Sequence, residues 1–402
     1  MDLQSFIAAH GLSPDSIDGE TSLRLLVEKM EQGLAGQGNI PMIPSYLPLN
    51  IPAAAGRECC VLDAGGTNLR VARARFDGNG KCSFDGYLKT YMPGTKGVLS
   101  FAEFYGTLAD FVRGTGCVDR IGLCFSYNVE IERNLDGILQ GWCKEVRVPE
   151  APGKPVGASL RRALGDDCEN VCVLNDSTAA LLGAHCCDKT ITLGLVLGTG
   201  INICYPEPCR NIPKVPSDLR MDSMIISTEI GEFDGFPKST FDELVIRTSD
   251  EPAMAHAEKQ CAGAYLGDLI SLAWKEAARE GLIPAAFAQP VTLPQISDCL
   301  AGESDPLPDD PGAREIARTM LHRAAKIAAV LTAGPVVRSC APGEHCAMVI
   351  EGSQYTKLTG FEELFRKELE SLLKPRNIAL TIAQVENSCM IGAALAAFAE
   401  PV

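Results

Sequence analysis

The sequence lacks an excess of basic residues. Its 402 residues include 36 lysines and arginines against 51 aspartates and glutamates, which gives a net charge of −15. Nucleic acids and anionic membrane surfaces are bound through clustered basic side chains, so neither is expected as a partner. A small anionic ligand such as ATP is still compatible with this charge, if backbone N–H groups, a metal ion and one or two cations neutralise it locally.

Long apolar runs are also missing. No stretch reaches the roughly 18 apolar residues of a membrane-spanning helix. The N-terminal segment MDLQSFIAAHGL has neither the basic start nor the long apolar stretch of a signal peptide. We therefore expect a cytoplasmic protein without membrane contact. The sequence indicates nothing about its oligomeric state.

The 17 cysteines include no C-x-x-C pair, so the spacing of a zinc ribbon is absent. Many lie inside apolar runs, among them Cys59, Cys60, Cys124, Cys172 and Cys204. We predict reduced thiols that serve as small core side chains.

The order of strand-like and helix-like segments predicts an α/β protein, and its length favours two domains. Apolar spacing predicts helices over 4–34, 254–281 and 313–333, and a strand through RIGLCFSYNV at 120–129. Each half of the chain contains a strand, a glycine turn and a second strand. This repeated arrangement suggests two related domains that face each other.

The two glycine turns are the most chemically informative segments. Asp63 ends a strand just before Gly65-Gly66-Thr67, and Gly198-Thr199-Gly200 joins two apolar runs. Glycines allow close backbone approach, and successive N–H groups form an anion-binding nest. Neither turn matches a P-loop or a dinucleotide-binding fingerprint. By themselves the turns fit either phosphate cradles or ordinary hairpins.

A third segment, VCVLNDSTAALLGA, places Asn175 and Asp176 where a strand ends and a helix begins. Such residues commonly cap helix N-termini. A carboxylate at the C-terminal edge of a sheet is equally suited to act as a general base. The segment alone leaves both interpretations open.

Taken together, these segments resemble the eukaryotic-type hexokinases and glucokinases over nearly the whole chain, from about residue 4 to the end. The motifs that carry the resemblance stand in one order: DAGGTNLR at 63–70, FSY at 125–127, LNDS at 174–177, GTGINICY at 198–205 and STEIG at 227–231. The resemblance implies two ribonuclease H-like, actin-like ATPase domains around a central cleft. It implies a small domain over 58–174, with the helix at about 388–402 packed on it, and a large domain over 1–48 and 175–387.

The resemblance further implies an ATP- and Mg²⁺-dependent hexose 6-phosphotransferase, with glucose as the expected acceptor. Asp176 resembles the general base, and Lys144 and Arg70 are expected to face the transferred phosphoryl group. The implied sugar ligands are Ser126, Cys143, Lys144, Asn175, Asp176, Asn202, Glu229 and Glu258. The implied ATP contacts are Asp63, Gly65, Gly66, Thr67, Asn68, Gly198, Thr199, Gly200, Gly263 and Ser388, with Asp63 also orienting Mg²⁺ through water.

Structural interpretations stay open for three of these residues: Glu229 as a solvated strand-end acid, Glu258 as an exposed helix acid and Ser388 as a helix cap. The sequence also departs from the family in the sugar loop, where WTKGF becomes WCKEV at 142–146 and FSFP becomes FSYN at 125–128. It departs again near the nucleotide, where a glycine-rich GSG segment becomes NSCMIG at 387–392. Alternatives are therefore a kinase of another hexose or amino sugar, or a weakly catalytic sugar sensor.

Overall fold

The computed structural model describes residues 2–52, 54–65, 68–142, 146–303 and 307–402. Within them the strands form a five-stranded sheet, a six-stranded sheet and a separate two-stranded ribbon. The strands are β1 (Ile43–Pro44), β2 (Glu58–Ala64), β3 (Asn68–Phe76), β4 (Cys82–Tyr91), β5 (Arg120–Phe125), β6 (Asn128–Ile131), β7 (Gly137–Gly141), β8 (Asn170–Leu174), β9 (Ile191–Leu197), β10 (Ile201–Pro208), β11 (Ser223–Ser227), β12 (His345–Glu351) and β13 (Ala379–Ala383).

Helices cover the sheets on both faces. They are α1 (Leu3–Ala9), α2 (Gly19–Leu34), α3 (Phe101–Gly114), α4 (Val156–Leu164), α5 (Asp176–Cys187), α6 (Thr240–Thr248), α7 (Glu258–Cys261), α8 (Gly263–Arg279), α9 (Leu293–Ala301), α10 (Pro311–Ser339), α11 (Ser353–Lys357), α12 (Phe361–Leu373) and α13 (Ser388–Ala396). This alternation confirms the α/β prediction.

The two sheets are built alike. The five-stranded sheet has the order β4-β3-β2-β5-β8, and the six-stranded sheet has the order β1-β11-β10-β9-β12-β13. In each, an antiparallel pair (β2 with β3, β9 with β10) continues into parallel strands (β5 and β8, β12 and β13). The loop that connects each antiparallel pair contains one of the two glycine turns.

Helices α5 and α13 form a shared layer between the sheets. One apolar cluster joins these helices to residues of both sheets, including Val61 and Cys124 on one side and Ile191 and Val349 on the other. The helices approach very closely because glycines stand at the crossing. A methyl group on Gly183 would collide with the carbonyl of residue 388, and one on residue 392 with the carbonyl of residue 179.

The outer faces of the two sheets have separate cores. One core packs β2, β3 and β5 against α3 and α4, with Phe104, Leu108 and Leu160 fully buried. The larger core packs β9–β12 against α2, α8, α10 and α12. Burial of this apolar surface, at roughly 25 cal/mol per Å², is the main force that holds each layer.

All three helix predictions were wrong in their boundaries. The helix expected over 4–34 is interrupted between Ala9 and Gly19, because Gly11 adopts a left-handed conformation (φ 68°) and Pro14 begins a short 3₁₀ turn. The helix expected over 254–281 is split between α7 and α8. There the N–H of Gly263 bonds outward to the carbonyl of Gly198 at 2.9 Å. The third helix, α10, is longer than the predicted 313–333.

The strand and cysteine predictions also need correction. The segment 120–129 forms two strands, because β5 joins the five-stranded sheet whereas β6 turns away and pairs with β7. Most described cysteines are free thiols, and nine of these fourteen are buried, as expected. Cys340 and Cys346 instead form a disulfide between the end of α10 and the start of β12.

Candidate active site

The carboxyl ends of three parallel strands meet at one edge of the five-stranded sheet. Asp63 lies near the end of β2, Ser126 follows β5, and Asn175 and Asp176 follow β8. The Ser126 N–H donates to the carbonyl of Ala64 at 3.1 Å, which ties the ends of β5 and β2 together. The sheet therefore brings four predicted site residues to one edge, the position where α/β sheets bind ligands.

A polar cluster faces this edge from the six-stranded sheet. The Asn202 side-chain amide donates to Glu229 Oε1 at 2.5 Å, to Ser227 Oγ at 3.0 Å and, more weakly, to Asn175 Oδ1 at 3.4 Å. The Ser227 hydroxyl also donates to Glu229 Oε1, at 3.0 Å. Asn202, Glu229 and Asn175, predicted from three separate segments, are thus one hydrogen-bonded group.

Glu229 has an unusual backbone. Its φ of 53° and ψ of 46° lie in the left-handed region, which is uncommon for a residue other than glycine. The Asn202 Oδ1 atom accepts the Glu229 N–H at 3.0 Å and so helps to hold this conformation. Strained backbone is often found at functional sites, because it can direct a side chain to a position that a regular strand would not allow.

The electrostatic environment of Glu229 differs from that of a solvated acid. Its side chain keeps some exposure to the cleft, yet it is densely surrounded by protein. Burial raises the pKa of Glu229 to about 7, and the nearby charges of Asp176 and Glu258 add to the rise. The interpretation of Glu229 as a solvated strand-end acid is therefore wrong. An uncharged polar ligand would be a better occupant of this site than an anion.

Asp176 is the first residue of α5, and Asn175 precedes it as the N-cap. The Asn175 Oδ1 atom accepts from the Ser177 N–H at 2.9 Å and from the Ser177 hydroxyl at 2.8 Å. The capping role of Asn175 is thus present, and it also fixes Asn175 beside Asn202. Asp176 stays half-buried at the positive end of the helix, with its Oδ1 near the Ser177 N–H at 2.8 Å.

The second glycine turn, 198–200, lies against the N-terminus of α8. The Gly263 N–H donates to the Gly198 carbonyl at 2.9 Å, and a Cβ on Gly263 would approach that oxygen to 2.7 Å. A side chain on Gly200 would collide with the carboxylate of Glu258. The contact at Gly263 is with backbone and leaves no room for a side chain, whereas a side chain at position 200 would have to displace the Glu258 carboxylate.

Glu258 is held by the same turn. Its Oε2 atom accepts from the N–H of Ile201 at 3.0 Å, and the residue is half-buried. The interpretation of Glu258 as an exposed helix acid is therefore wrong. Thr199 lies exposed at the tip of the turn, with its carbonyl bonded to the Ala264 N–H at 3.1 Å. The turn is thus bonded to Glu258 on one side and exposes Thr199 on the other.

The first turn begins with a buried acid and its counterion. Asp63 is 4% exposed and forms an ion pair with Arg70 on the neighbouring strand. Burial raises the pKa of Asp63, Arg70 opposes the rise, and the charge of Asp176 adds to it. The Gly65 N–H donates to the Asn68 carbonyl at 3.0 Å, so this amide closes the turn rather than facing the cleft.

Ser388 begins α13 and bonds across to the six-stranded sheet. Its hydroxyl donates to Glu351 Oε1 at 2.5 Å, and Ser388 is fully buried. The N-cap position belongs to Asn387, so the interpretation of Ser388 as the cap is wrong. Burial raises the pKa of Glu351, and the charges of Asp63 and Asp176 contribute further. The carboxylates of the cleft therefore form one electrostatically coupled group.

Four predicted site residues lie outside the described part of the chain. They are Gly66 and Thr67 of the first turn and Cys143 and Lys144 of the sugar loop. Their roles stay predictions.

The structure also adds residues that sequence reasoning missed. Ser227 bonds to both Asn202 and Glu229, Glu351 accepts from Ser388, and Tyr127 donates its hydroxyl to the Gly65 carbonyl at 2.8 Å. Ser227 and Tyr127 lie inside motifs already singled out, whereas Glu351 lies outside them. Asn202, Ser388 and Gly65 belong to segments distant from these three residues, so only the folded chain reveals these contacts.

Two similarly built α/β units around a cleft, with glycine turns at the cleft edge, define the actin-like ATPase fold. Solved structures share this fold over most of the chain. The hexokinase from Schistosoma mansoni complexed with glucose has a TM-score of 0.85 at 22% identity, and each chain is covered to 98%. A ROK family glucokinase from Streptomyces griseus in complex with glucose and AMPPNP has a TM-score of 0.54 at 17% identity, covering 84% of this chain and 98% of that one.

Comparison of sequences leads to the family. Two family models, each described as hexokinase, match residues 3–186 and 192–399. Hexokinase-2 of Candida albicans is 27% identical over 92% of this chain and 86% of its own length. Hexokinase-1 of Saccharomyces cerevisiae is 27% identical over 95% and 89%, respectively. The chain belongs to the hexokinase family, and it is a hexose kinase with ATP as co-substrate.

No helix in the described ranges is both long enough and apolar enough to cross a membrane.

Proposed function

We propose that this enzyme transfers the γ-phosphoryl group of ATP to the 6-hydroxyl of glucose, with Asp176 as the general base. The observation that carries the proposal is the hydrogen-bonded group of Asn175, Asn202 and Glu229 directly beside Asp176. A solved structure with the same fold contains glucose, which supports this hexose as the acceptor.

The sugar side of the cleft is suited to vicinal hydroxyls. Carboxylate and amide oxygens accept from hydroxyls, and amide nitrogens donate to them. Asn202, Glu229, Asn175 and Glu258 offer both kinds of group at one place, and we assign them to the sugar ring. A sugar that lacks one of these hydroxyls would leave a buried acceptor unpaired, so the site is expected to reject deoxy analogues strongly.

Asp176 is proposed to accept the proton from the attacking hydroxyl. Phosphoryl transfer depends mainly on positioning and on stabilisation of charge, so the base needs reach more than strength. Asp176 is the first residue of α5, so the helix fixes its backbone. Helix α13 packs against the same position, with Cys389 Sγ 3.7 Å from the Asp176 carbonyl oxygen. Arg70, and Lys144 from the sequence motif, are proposed to face the transferred phosphoryl group.

The nucleotide is assigned to the two glycine turns. The first comprises Gly65, Gly66, Thr67 and Asn68, and the second comprises Gly198, Thr199 and Gly200. Since the Gly65 and Gly263 amides are engaged by the turns themselves, we expect these two glycines to shape the cradle rather than donate to phosphate. Ser388 is expected to act through Glu351 for the same reason, because its hydroxyl is already occupied.

Mg²⁺ fits this arrangement as an ion shared with the ATP phosphates. Among the described residues no group of three or more candidate ligands forms a preformed metal site. Mg²⁺ in kinases commonly needs only one or two protein carboxylates, because phosphates and water supply the rest. Asp63 is the buried carboxylate at the first turn, and one of its oxygens is paired with Arg70. We therefore assign Asp63 to Mg²⁺ through water, and the ion when bound would neutralise phosphate charge.

We assign residues 58–174 to a small domain and residues 1–48 and 175–387 to a large domain, which close on the sugar. The distribution of strands supports this division, since β2–β5 and β8 form one sheet and β1 and β9–β13 the other. Helix α13 packs on α5 and also contacts β2 and β5 of the small domain. Closure would exclude water and so direct ATP to the sugar rather than to hydrolysis.

A cytoplasmic location belongs to the same proposal, supported by the fourteen described free thiols.

The departures at Asn128, Cys143 and Glu145 favour a second candidate, in which another hexose or an amino sugar is preferred. A coupled ADP-release assay over glucose, fructose, mannose and glucosamine tests both. Glucose is expected to give the highest kcat/KM, and a higher value for another sugar would select the alternative. Asp176→Ala is the control, with kcat expected to fall at least ~10²-fold. Glucose binding in calorimetry without sugar-dependent ADP release would instead identify a sensor.

A further inference from the structure

Two successive hydrogen bonds connect the sugar loop to the first glycine turn. The Ser126 N–H donates to the Ala64 carbonyl at 3.1 Å, and the next residue, Tyr127, donates its hydroxyl to the Gly65 carbonyl at 2.8 Å. The Tyr127 side chain is 3% exposed. A backbone bond and a buried side-chain bond therefore hold the same two-residue segment at both of its carbonyls.

The other side of Tyr127 faces residues that we assign to the sugar. Its ring packs edge-on against Trp142, with 5.1 Å between the ring centroids, and at a tilt against Phe125, with 4.8 Å between the centroids. Trp142 is the residue immediately before Cys143 and Lys144, and Tyr127 also lines a small cavity together with Glu229. One side chain thus reaches both the region assigned to the sugar and the turn assigned to ATP.

We propose that the Tyr127 hydroxyl is a positioning group that couples sugar binding to nucleotide binding. The Gly65 peptide has no side chain to restrain it, and Tyr127 supplies the restraint through its carbonyl. A sugar that orders the loop around Tyr127 also orders the beginning of the first turn, so the nucleotide loses less conformational freedom when it binds second. This inference rests on the proposed function, because it requires both ligands in the cleft.

The test compares Tyr127→Phe with a matched control, Tyr105→Phe. Phenylalanine fills the same space in the aromatic cluster, so the first variant loses the hydroxyl alone. Tyr105 is a buried tyrosine of the same sheet unit, and its hydroxyl interacts with Ser159 on α4, away from the cleft. For each protein, calorimetry measures the Kd of Mg-AMPPNP without and with saturating glucose, and the Kd of glucose alone.

We expect glucose to tighten nucleotide binding in the wild type, and this coupling factor to fall about fivefold in Tyr127→Phe, the usual size for loss of one net hydrogen bond. The Kd of glucose alone should stay within about twofold of the wild type. Tyr105→Phe should keep the wild-type coupling. This pattern would support a positioning role, because a general loss of stability would affect both ligands.

Four results would overturn the inference. Three concern coupling: wild-type coupling in Tyr127→Phe, the same loss of coupling in Tyr105→Phe, or no coupling in the wild type. The fourth is general destabilisation, in which Tyr127→Phe, but not Tyr105→Phe, has a lower thermal midpoint and binds both glucose and the nucleotide more weakly. Failure of the proposed function looks different. A wild-type chain that binds no glucose would contradict both statements, whereas one that phosphorylates glucose with coupling unchanged in Tyr127→Phe would contradict only the role of Tyr127.

Discussion

Replacement of Glu229 by glutamine is expected to stabilise the ligand-free enzyme at alkaline pH while it impairs sugar binding. The Glu229 carboxylate is surrounded by protein, and the charges that act on it most strongly, those of Asp176 and Glu258, are negative. Glutamine has the same shape and keeps an oxygen for the hydrogen bonds from Asn202 and Ser227. It removes the cost of desolvating a charge.

The magnitude follows from the pKa of Glu229, which burial raises from 4.5 to about 7. Between these values the folded protein binds more protons than the unfolded chain, so stability falls as the pH rises through this window. A rise of 2.5 pH units corresponds to about 3 kcal/mol at 1.36 kcal/mol per unit. The free energy of unfolding of Glu229→Gln should equal that of the wild type at pH 4.5 and should exceed it by about 3 kcal/mol at pH 8. This value is an upper bound, because Glu229 keeps some contact with solvent.

Thermal and urea unfolding of the ligand-free proteins at several pH values measure this difference. For a chain of this length, 3 kcal/mol corresponds to a rise in the thermal midpoint of about 4 °C. Glu370→Gln on the outer face of α12 is the control, because Glu370 is exposed and should show no pH-dependent advantage. Glu229→Gln should also lower kcat/KM for glucose by about 10²-fold, since a charged acceptor is lost.

The reasoning would be refuted if Glu229→Gln were equally stabilising at pH 5 and pH 8, or destabilising at pH 8. Either result would mean that ionisation of the Glu229 carboxylate does not destabilise the folded enzyme. The wild type provides a further check: affinity for glucose should rise as the pH increases through about 7, because Glu229 then becomes a full acceptor.

Three further variants test the fold around the site. Arg323→Met removes the buried partner of Asp242, whose Oδ2 atom lies 2.8 Å from the Arg323 guanidinium. The free energy of unfolding in urea should fall by about 3–5 kcal/mol, and a loss below 1 kcal/mol would contradict a buried ion pair. Gly200→Ala should displace Glu258 and raise KM for the sugar about tenfold, with the thermal midpoint nearly unchanged; an unaltered KM would argue against the contact. Gly183→Ala should lower stability by about 1–3 kcal/mol, measured by calorimetry, because it forces α5 away from α13; wild-type stability would show that the crossing can relax.

Much of the site could be predicted from the sequence because its residues lie in short motifs at the ends of strands. Asn175 and Asp176 directly follow an apolar strand, and Asn202 follows the second glycine turn. Local pattern is sufficient for such residues, since a strand end and its turn are determined by neighbouring side chains. The same local reasoning failed for the helix over 254–281, which is broken because Gly263 bonds to a turn more than sixty residues earlier.

Long-range contacts were beyond the reach of local patterns. The sequence offers no signal that Ser388 bonds to Glu351, or that Cys340 pairs with Cys346. In the same way, Tyr127 is visible in the sequence as a departure from a motif, yet its partner Gly65 lies 62 positions away. Such pairs are set by the way in which layers pack, and packing depends on the whole chain.

The sequence by itself determined the α/β class, the two glycine turns, the family resemblance and the candidate base Asp176, because these depend on composition and on short ordered motifs. Only the tertiary structure decided that Glu229 is a crowded carboxylate rather than a solvated acid, that the Gly65 and Gly263 amides bond to carbonyls of the two turns, and that the Tyr127 hydroxyl bonds to the Gly65 carbonyl. The physical reason is that the pKa of a group and the partners of its hydrogen bonds depend on neighbours brought together from distant segments, which no local pattern records.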